Sequence, residues 1–363
     1  MSTAAFEPAL VPLASPEVIL GLERAVYGDA EVADARFVDW LYRRNPAGEG
    51  MVWYAATAER DTPSAGQVAV VPLRVEVCGR RGVAGLVLNV ATHPRWRQRG
   101  VFAALLERAV AENVRRGLLY TFALPNPSST PAFLRHAGFA DAGRVPLLLA
   151  PLDPSVLAAT RRGAARLVVG LGGRVLTALG SARRASAGAL PVEEVAADWA
   201  GFEALWPRLG TTRPVAVIRD RAFSAWRFGA CPTRRYRLHV VRSRGEVAGV
   251  VVTRLAPVLG LPAGLVVDLA LTPGADAEAA GAALLGHACA QLAADGAALA
   301  AALMLPHAPE YRALRRAGFL RCPRVLEPQP FRVVVRTHPA GAAAGMPPGL
   351  GHWFLDMADY DAV

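Results

Sequence analysis

Apolar positions run almost unbroken from Gly85 through Leu86-Val87-Leu88 to Val90-Ala91, with Asn89 as the only strongly polar interruption, and this predicts a strand over 86–92. A polar break follows, Arg97-Gln98-Arg99-Gly100, and then Val101-Phe102-Ala103-Ala104-Leu105-Leu106 opens a helix predicted to reach about Arg116. The next apolar run, Leu118 to Leu124, is short and carries aromatics, as a buried strand does. Pro125-Asn126-Pro127-Ser128-Ser129-Thr130-Pro131 is a loop that ends on cap-type residues. It leads into a short helix closing on Ala137-Gly138, with Phe139 opening a further strand. Strand, basic turn, helix, strand, loop and short helix make an α/β protein with a mixed (α+β) sheet.

The chain states this pattern twice. Phe37-x-x-Trp40-x-Tyr42-x-x-x-Pro46 recurs as Phe223-x-x-Trp226-x-Phe228-x-x-x-Pro232, and Gly85-Leu-Val-Leu-Asn-Val-Ala91 recurs as Gly264-Leu-Val-Val-Asp-Leu-Ala270. Ala104-Leu105-Leu106 matches Ala283-Leu284-Leu285, and Leu134-Arg135-His136-Ala137-Gly138-Phe139 matches Leu314-Arg315-Arg316-Ala317-Gly318-Phe319. The offsets are 186, 179, 179 and 180 residues in one order, which predicts a tandem duplication of whole domains rather than a solenoid. The expected organisation is an N-terminal domain over 1–153, a basic helical linker over 154–192, a C-terminal domain over 193–338 and a tail over 339–363.

The basic turn is a phosphate cradle. Amides at a helix start are unpaired and lie at the positive end of the macrodipole, Gly100 places no side chain in the way, and Arg97 and Arg99 add charge. Arg97-x-x-Gly100-x-x, directly after an apolar strand, resembles the acyl-CoA signature Gln/Arg-x-x-Gly-x-Gly/Ala of the GNAT superfamily of N-acyltransferases, with Phe102 as a departure at the last position. The resemblance implies two tandem GNAT-like domains and acetyl-CoA, or another acyl-CoA, as co-substrate. It assigns the pyrophosphate to Arg97, Gln98, Arg99, Gly100, Val101 and Phe102, and oxyanion-stabilising amides to Val90, Ala91 and Thr92. Asn126 and Ser128 or Ser129 stand where the family contacts pantetheine or substrate. In the second copy, Asp276, Glu278 and Ala279 stand opposite Arg97, Arg99 and Gly100, so a pyrophosphate meets like charge there. That copy is expected to shape the substrate site without binding CoA.

The acid and base are not supplied by the signature. Many family members carry a Tyr four residues before the Gly-Phe landmark as acid to the thiolate; that position is Leu134, and the strand over 86–92 has no carboxylate. Tyr120 and His93 are the candidates carried forward, with Glu76 and Asp39 behind them. Each also has a structural role open to it: His93 as a cap of the turn, Tyr120 as a core residue. The function implied is N-acyl, specifically N-acetyl, transfer to a primary amine, with an amino sugar of surface polysaccharide metabolism as the preferred acceptor. A Fem-type aminoacyl-tRNA-dependent transferase and a non-catalytic CoA sensor or scaffold are the alternatives.

Composition narrows the partners. Hydrophobic residues make up 53 % of the 363, enough for two cores. All 40 basic residues are arginine and the net charge is +10, a bias that fits a GC-rich bacterial coding sequence. No basic run is interleaved with aromatics as in a base-stacking groove, so no nucleic acid partner is expected. Cys78, Cys231, Cys289 and Cys322 form no Cys-x-x-Cys pair, which argues for a reducing compartment and against a zinc site. Met1 to Ser15 lacks a positive n-region, so a cytoplasmic location without a signal peptide is expected. The linker has no acidic residue; a helical connector is favoured over a basic helix on a membrane surface. The stretch from Pro339 to Gly351 reads as loop, and His352-Trp353-Phe354-Leu355 as an apolar anchor.

Overall fold

The computed structural model describes residues 6–59, 64–153, 190–210, 212–258 and 260–360, with isolated positions between 155 and 182, so the predicted linker lies largely outside the described residues. Two compact units form, and neither is continuous in sequence. The first takes in Met1–Gly143, Ala230–Thr233 and Arg332–Gly349; the second takes in Arg144–Gly229, Arg234–Phe331 and Leu350–Val363.

In the first unit the order is β1 (Phe6–Leu10), α1 (Glu17–Tyr27), α2 (Ala35–Tyr42), β2 (Met51–Thr57), β3 (Ser64–Val77), β4 (Arg80–Thr92), α3 (Val101–Arg115), β5 (Tyr120–Ala123), α4 (Thr130–Arg135) and β6 (Ala140–Arg144). The Asp34 side chain caps α2 by accepting from the Arg36 amide at 2.8 Å, and α1 stops at Gly28, held at φ 66 where glycine carries no penalty. Helix α3 buries Val101, Leu105, Leu106, Ala109, Val110 and Asn113, a stripe at helical spacing that packs on the sheet. At roughly 1.5–3 kcal/mol per large apolar side chain, this face is what docks the helix that begins at the basic turn.

The sheet is completed from the far end of the chain. Its order is β1-β2-β3-β4-β5-β15-β6, where β15 is Arg332–Thr337, antiparallel to β5 from Val334↔Ala123 to Thr337↔Tyr120. The region predicted as loop continues as a short helix, Pro339–Ala343, because Pro339 starts it and Gly341 lets it close on β5: a Cβ there would stand 2.0 Å from the Leu119 carbonyl oxygen.

The second unit contains β7 (Leu147–Pro151), β8 (Val192–Val195), β9 (Val215–Val217), β10 (Arg237–Ser243), β11 (Glu246–Val258), β12 (Leu261–Leu271), β13 (Leu299–Leu303) and β14 (Leu320–Arg321). Its sheet runs β14-β7-β13-β12-β11-β10-β8, with the long helix Ala277–Ala294 packed on β11 and β12. Each sheet therefore draws on the other half of the sequence, with β15 beside and antiparallel to β5 and β7 beside and antiparallel to β13. The registers agree: Gly85↔Thr121 has its counterpart in Gly264↔Ala300, and Gly66↔Thr92 in Gly249↔Leu271. The closing segment is anchored as expected, with Trp353, Phe354 and Leu355 buried and the buried Arg219 guanidinium bound to Asp268 at 3.0 Å, Asp356 at 2.9 Å and Asp359 at 2.8 Å. Among the described residues no helix is long and apolar enough to cross a membrane.

The end of β15 makes the first unit acid-sensitive. His338 Nε2 lies 2.8 Å from Thr121 Oγ1, which also receives Asn113 Nδ2 at 2.8 Å, and burial lowers the imidazole from 6.5 to about 4. The unfolded chain takes the proton first as pH falls, so the stability tied to neutral His338 is complete above pH 6.5 and is lost toward pH 4. Urea unfolding should show wild type losing about 2–3 kcal/mol more than His338→Gln between pH 7 and pH 4.5. Identical pH dependence of the two proteins would contradict this placement of the histidine.

Candidate functional site

The ladder between β3 and β4 loses its register once. Gln67 pairs with Ala91 while Ala69 pairs with Leu88, so β4 carries an extra residue at Asn89-Val90, and Asn89 sits at φ 47. A bulge of this kind frees backbone groups from the ladder and turns them aside. Beyond Leu86↔Phe122 the parallel pairing of β4 with β5 also ends, which leaves the β5-facing edge of β4 open from Val87 to Thr92. The predicted oxyanion donors Val90, Ala91 and Thr92 occupy this opened stretch.

Side chains from three other elements hold the bulge. Gln67 Nε2 on β3 donates to the Asn89 carbonyl at 3.3 Å, the Tyr27 hydroxyl at the end of α1 donates to the Val90 carbonyl at 2.9 Å, and Asn89 Nδ2 donates to the Tyr42 hydroxyl of α2 at 2.7 Å. With those carbonyls capped from the α1 side, the freed amides are the groups left to meet a ligand.

Eight residues on comes the basic turn that the sequence offers as a cradle. His93 N–H donates to the Ala65 carbonyl at 2.9 Å, a 3-10 turn Pro94–Trp96 buries Trp96, and then Gln98 at φ 62 and Gly100 at φ 77 bracket Arg99. Left-handed residues in alternation turn successive N–H groups to one side, a nest for an anion, and Gly100 is the N-cap of α3. A Cβ on Gly100 would meet nothing within 4 Å, so the glycine is there for its φ and for the open space over the amides. Arg97 and Arg99 are exposed; Arg99 lies 5.1 Å over the Trp96 ring, and among the described residues neither pairs with a carboxylate. Phe102, the departure from the signature, has a physical reason: its ring packs on Phe133 of α4 at 5.1 Å, against the core and away from the turn. These residues fit an acyl-CoA pyrophosphate.

The other predicted residues are placed as follows. Asn126 Oδ1 accepts from Ser128 Oγ at 2.8 Å and from the Ser129 amide at 2.9 Å, so this exposed pair shapes the loop entering α4. Leu134, at the family's Tyr position, is 39 % exposed. Tyr120 is buried at the start of β5, one residue before the Thr121↔Gly85 pair, which puts it about 17 Å along the sheet from the bulge. The structure does not bring it to the cradle. His93 leads the turn out of β4, with Nδ1 buried and unpartnered. Glu76 pairs with Arg81 at 3.4 Å, and Asp39 with Arg43 at 3.1 Å and Arg44 at 2.6 Å, as surface ion pairs do.

Sequence reasoning missed Glu23. It is fully buried on α1, and Gln67 Nε2 donates to its Oε1 in a short contact. Burial raises its carboxyl from 4.5 to about 8, with the Gln67 hydrogen bond opposing the shift. Burial and then the Glu23 charge raise the Tyr27 phenol, while Arg97 pulls it down, so Tyr27 stands between the bulge and the cradle. The one signal in the sequence is spacing: Ile19, Glu23 and Tyr27 share a face with Leu20 in an otherwise apolar stripe. Among the described residues no group of three or more His, Cys, Asp or Glu side chains is placed to hold a metal.

Comparison with known proteins agrees with this geometry. Residues 19–142 match a family model described as an acetyltransferase (GNAT) domain. No curated protein matches the chain. Among solved structures, a GCN5-related N-acetyltransferase from Anabaena variabilis superposes with a TM-score of 0.62 at 14 % identity, over 95 % of this chain and 75 % of that one. A probable N-acyltransferase from Enterococcus faecalis gives 0.59 at 13 %, over 92 % and 73 %. Saccharomyces cerevisiae N-myristoyltransferase, in a structure with bound myristoyl-CoA, gives 0.58 at 11 %, over 93 % and 81 %. These likenesses establish the fold, and residues 19–142, the segment that carries the bulge and the basic turn, are similar to a GNAT acetyltransferase domain.

Proposed function

We propose that this protein is an acyl-CoA-dependent N-acyltransferase, using acetyl-CoA, whose one active site per chain lies in the first unit and acylates a small primary amine, an amino sugar by preference. The observation that carries the reading is the pairing of an opened, bulged strand at Asn89-Val90 with an anion nest at Arg97–Val101, joined by a single short turn. Bound acyl-CoA supplies an activated thioester. The nest and the two arginines hold its diphosphate, and the amides around Val90 to Thr92 offer hydrogen bonds to the carbonyl oxygen as it gains charge. Two arginines without carboxylate partners among the described residues favour a CoA donor over the aminoacyl-tRNA of a Fem-type enzyme.

The second unit is read as a degenerate duplicate. Its β11–β12 ladder also slips register once, with Val267 as the extra residue, and a Cβ on Gly249 would stand 3.1 Å from the Ala270 carbonyl oxygen, as one on Gly66 would stand 2.9 Å from that of Ala91. What differs is the chemistry. At the repeat offset of 186 residues Glu23, Tyr27 and Tyr42 correspond to Leu209, Arg213 and Phe228, while Gln67 and Asn89 correspond to Val250 and Asp268. Leu209, Phe228 and Val250 line a small cavity, and Asp268 is taken up by Arg219. The helix start at Asp276 receives Ser243 Oγ at 2.9 Å, and Glu278 pairs with Arg316, so the cradle's cations are replaced by engaged anions.

Gly100→Glu places a carboxylate over the nest at a φ that L residues resist, and isothermal calorimetry should find no CoA binding; wild-type affinity there would end this reading. Arg97→Ala should bind CoA about 1.5–3 kcal/mol more weakly, the value of a charge-assisted contact. Native mass spectrometry at saturating acetyl-CoA should count one CoA per chain, and a second that survives Gly100→Glu would show the second unit to be competent.

A further inference from the structure

The site as described lacks a group to take the amine's proton, and the face of α1 turned to the bulge holds a candidate pair. Glu23 and Tyr27 are four residues apart on that face, where side chains are neighbours. Tyr27 is 45 % exposed, with its hydroxyl 2.9 Å from the Val90 carbonyl, and it is the ionisable side chain that reaches the bulge from solvent. Glu23 lies behind it with no exposure at all. Two acceptor atoms of this cluster, Glu23 Oε2 and Gln67 Oε1, are buried with no hydrogen-bond partner. An unpartnered buried carboxylate oxygen is costly, and a proton on Oε2 turns one of the two surplus acceptors into a donor. Glu23 is therefore built to gain and lose a proton rather than to hold a fixed charge. The groups facing it are Gln67 from β3, Tyr42 from α2 and Tyr27 on its own helix, with Asn89 of the bulge bonded to two of them.

Resting on the function proposed above, we infer that Tyr27 is the catalytic residue that takes the proton of the attacking amine, and that Glu23 acts through it as the store for that proton. As the amine nitrogen bonds to the acyl carbon, Tyr27 Oη takes the proton the nitrogen releases, and its own proton passes by way of water to Glu23 Oε2, which the phenol does not contact directly. The C–S bond breaks with its electron pair on sulfur, the thiolate takes a proton from solvent, and Glu23 returns its proton to solvent through Tyr27. No oxidant, metal or further reactant enters. A phenol in this place needs a partner that collects its proton, and a carboxyl that titrates near neutral pH is suited to that work. The role is distinct from the family's Tyr on α4, whose position is Leu134 here.

The test compares full-length wild type, Tyr27→Phe and Glu23→Gln with acetyl-CoA and a panel of primary amines from propylamine to glucosamine. Wild type should acetylate a member of the panel with a rate that rises with pH to a plateau above about 8, where Glu23 has given up its proton. Each variant should lose at least about 100-fold in kcat, the scale of general acid–base catalysis, and Glu23→Gln should also lose the pH limb. CoA affinity by calorimetry should stay within twofold in both. A readout apart from turnover is urea unfolding of the free proteins. The folded state keeps the Glu23 proton up to about pH 8 while the unfolded chain releases it near 4.5, so wild type is destabilised as pH rises through that window. Glu23→Gln should remove this loss and unfold at a higher urea midpoint than wild type at pH 8.5. Variants that keep the wild-type rate and pH limb would overturn the inference and leave the function standing. A wild type that binds CoA and acetylates no amine of the panel would overturn the proposed function, and the inference with it.

Discussion

One extra residue in β4 sets the geometry on which the rest of the first unit depends. Had Asn89 and Val90 stayed in register with β3, every amide from Val87 to Thr92 on that side would have been spent on the ladder and the strand would present only side chains. The bulge releases backbone groups in a place where β5 has already parted from β4, and it is pinned by Gln67, Tyr27 and Tyr42, each from a different element. Those pins explain why α1 and α2 pack as they do: their buried faces carry Glu23 and Tyr42 toward the bulge along with the aliphatic residues that hold the helices down, and Tyr27 reaches it from the exposed end of α1.

The two units solve the same packing problem with opposite electrostatics. In the first, a carboxyl is kept in the interior with one amide donor and titrates upward, a state that costs stability above neutral pH. In the second, the corresponding places hold leucine, valine and phenylalanine, and the acidic residue at the bulge is bonded by a buried arginine that also holds Asp356 and Asp359. That second arrangement ties down the closing segment of the chain.

Much of this was legible in the sequence wherever local pattern decides the structure. The apolar run, the glycine turn and the amphipathic helix over 101–115 appear as the spacing predicts, because a strand edge, a left-handed cap and a helical stripe are short-range constraints. Glu23 was not legible, since a single glutamate in a helix normally faces water, and its burial is decided by Gln67, some forty residues away. The exchange of β7 and β15 was equally hidden. Leu147–Pro151 and Arg332–Thr337 each lie near the end of their own half, and no periodicity states which sheet a strand joins. Tyr120 drew attention through its residue type, and the register of β5 against β4 puts it at the wrong end of the sheet.

Amide hydrogen–deuterium exchange with and without acetyl-CoA tests the central claim most directly, because it reads the amides themselves. Binding should slow exchange in peptides covering residues 88–92 and 98–103 and leave their counterparts at 267–271 and 277–282 unchanged. Protection confined to the second set, equal protection of both, or none at 88–92 would contradict the assignment of the bulge and the nest as the acyl-CoA site.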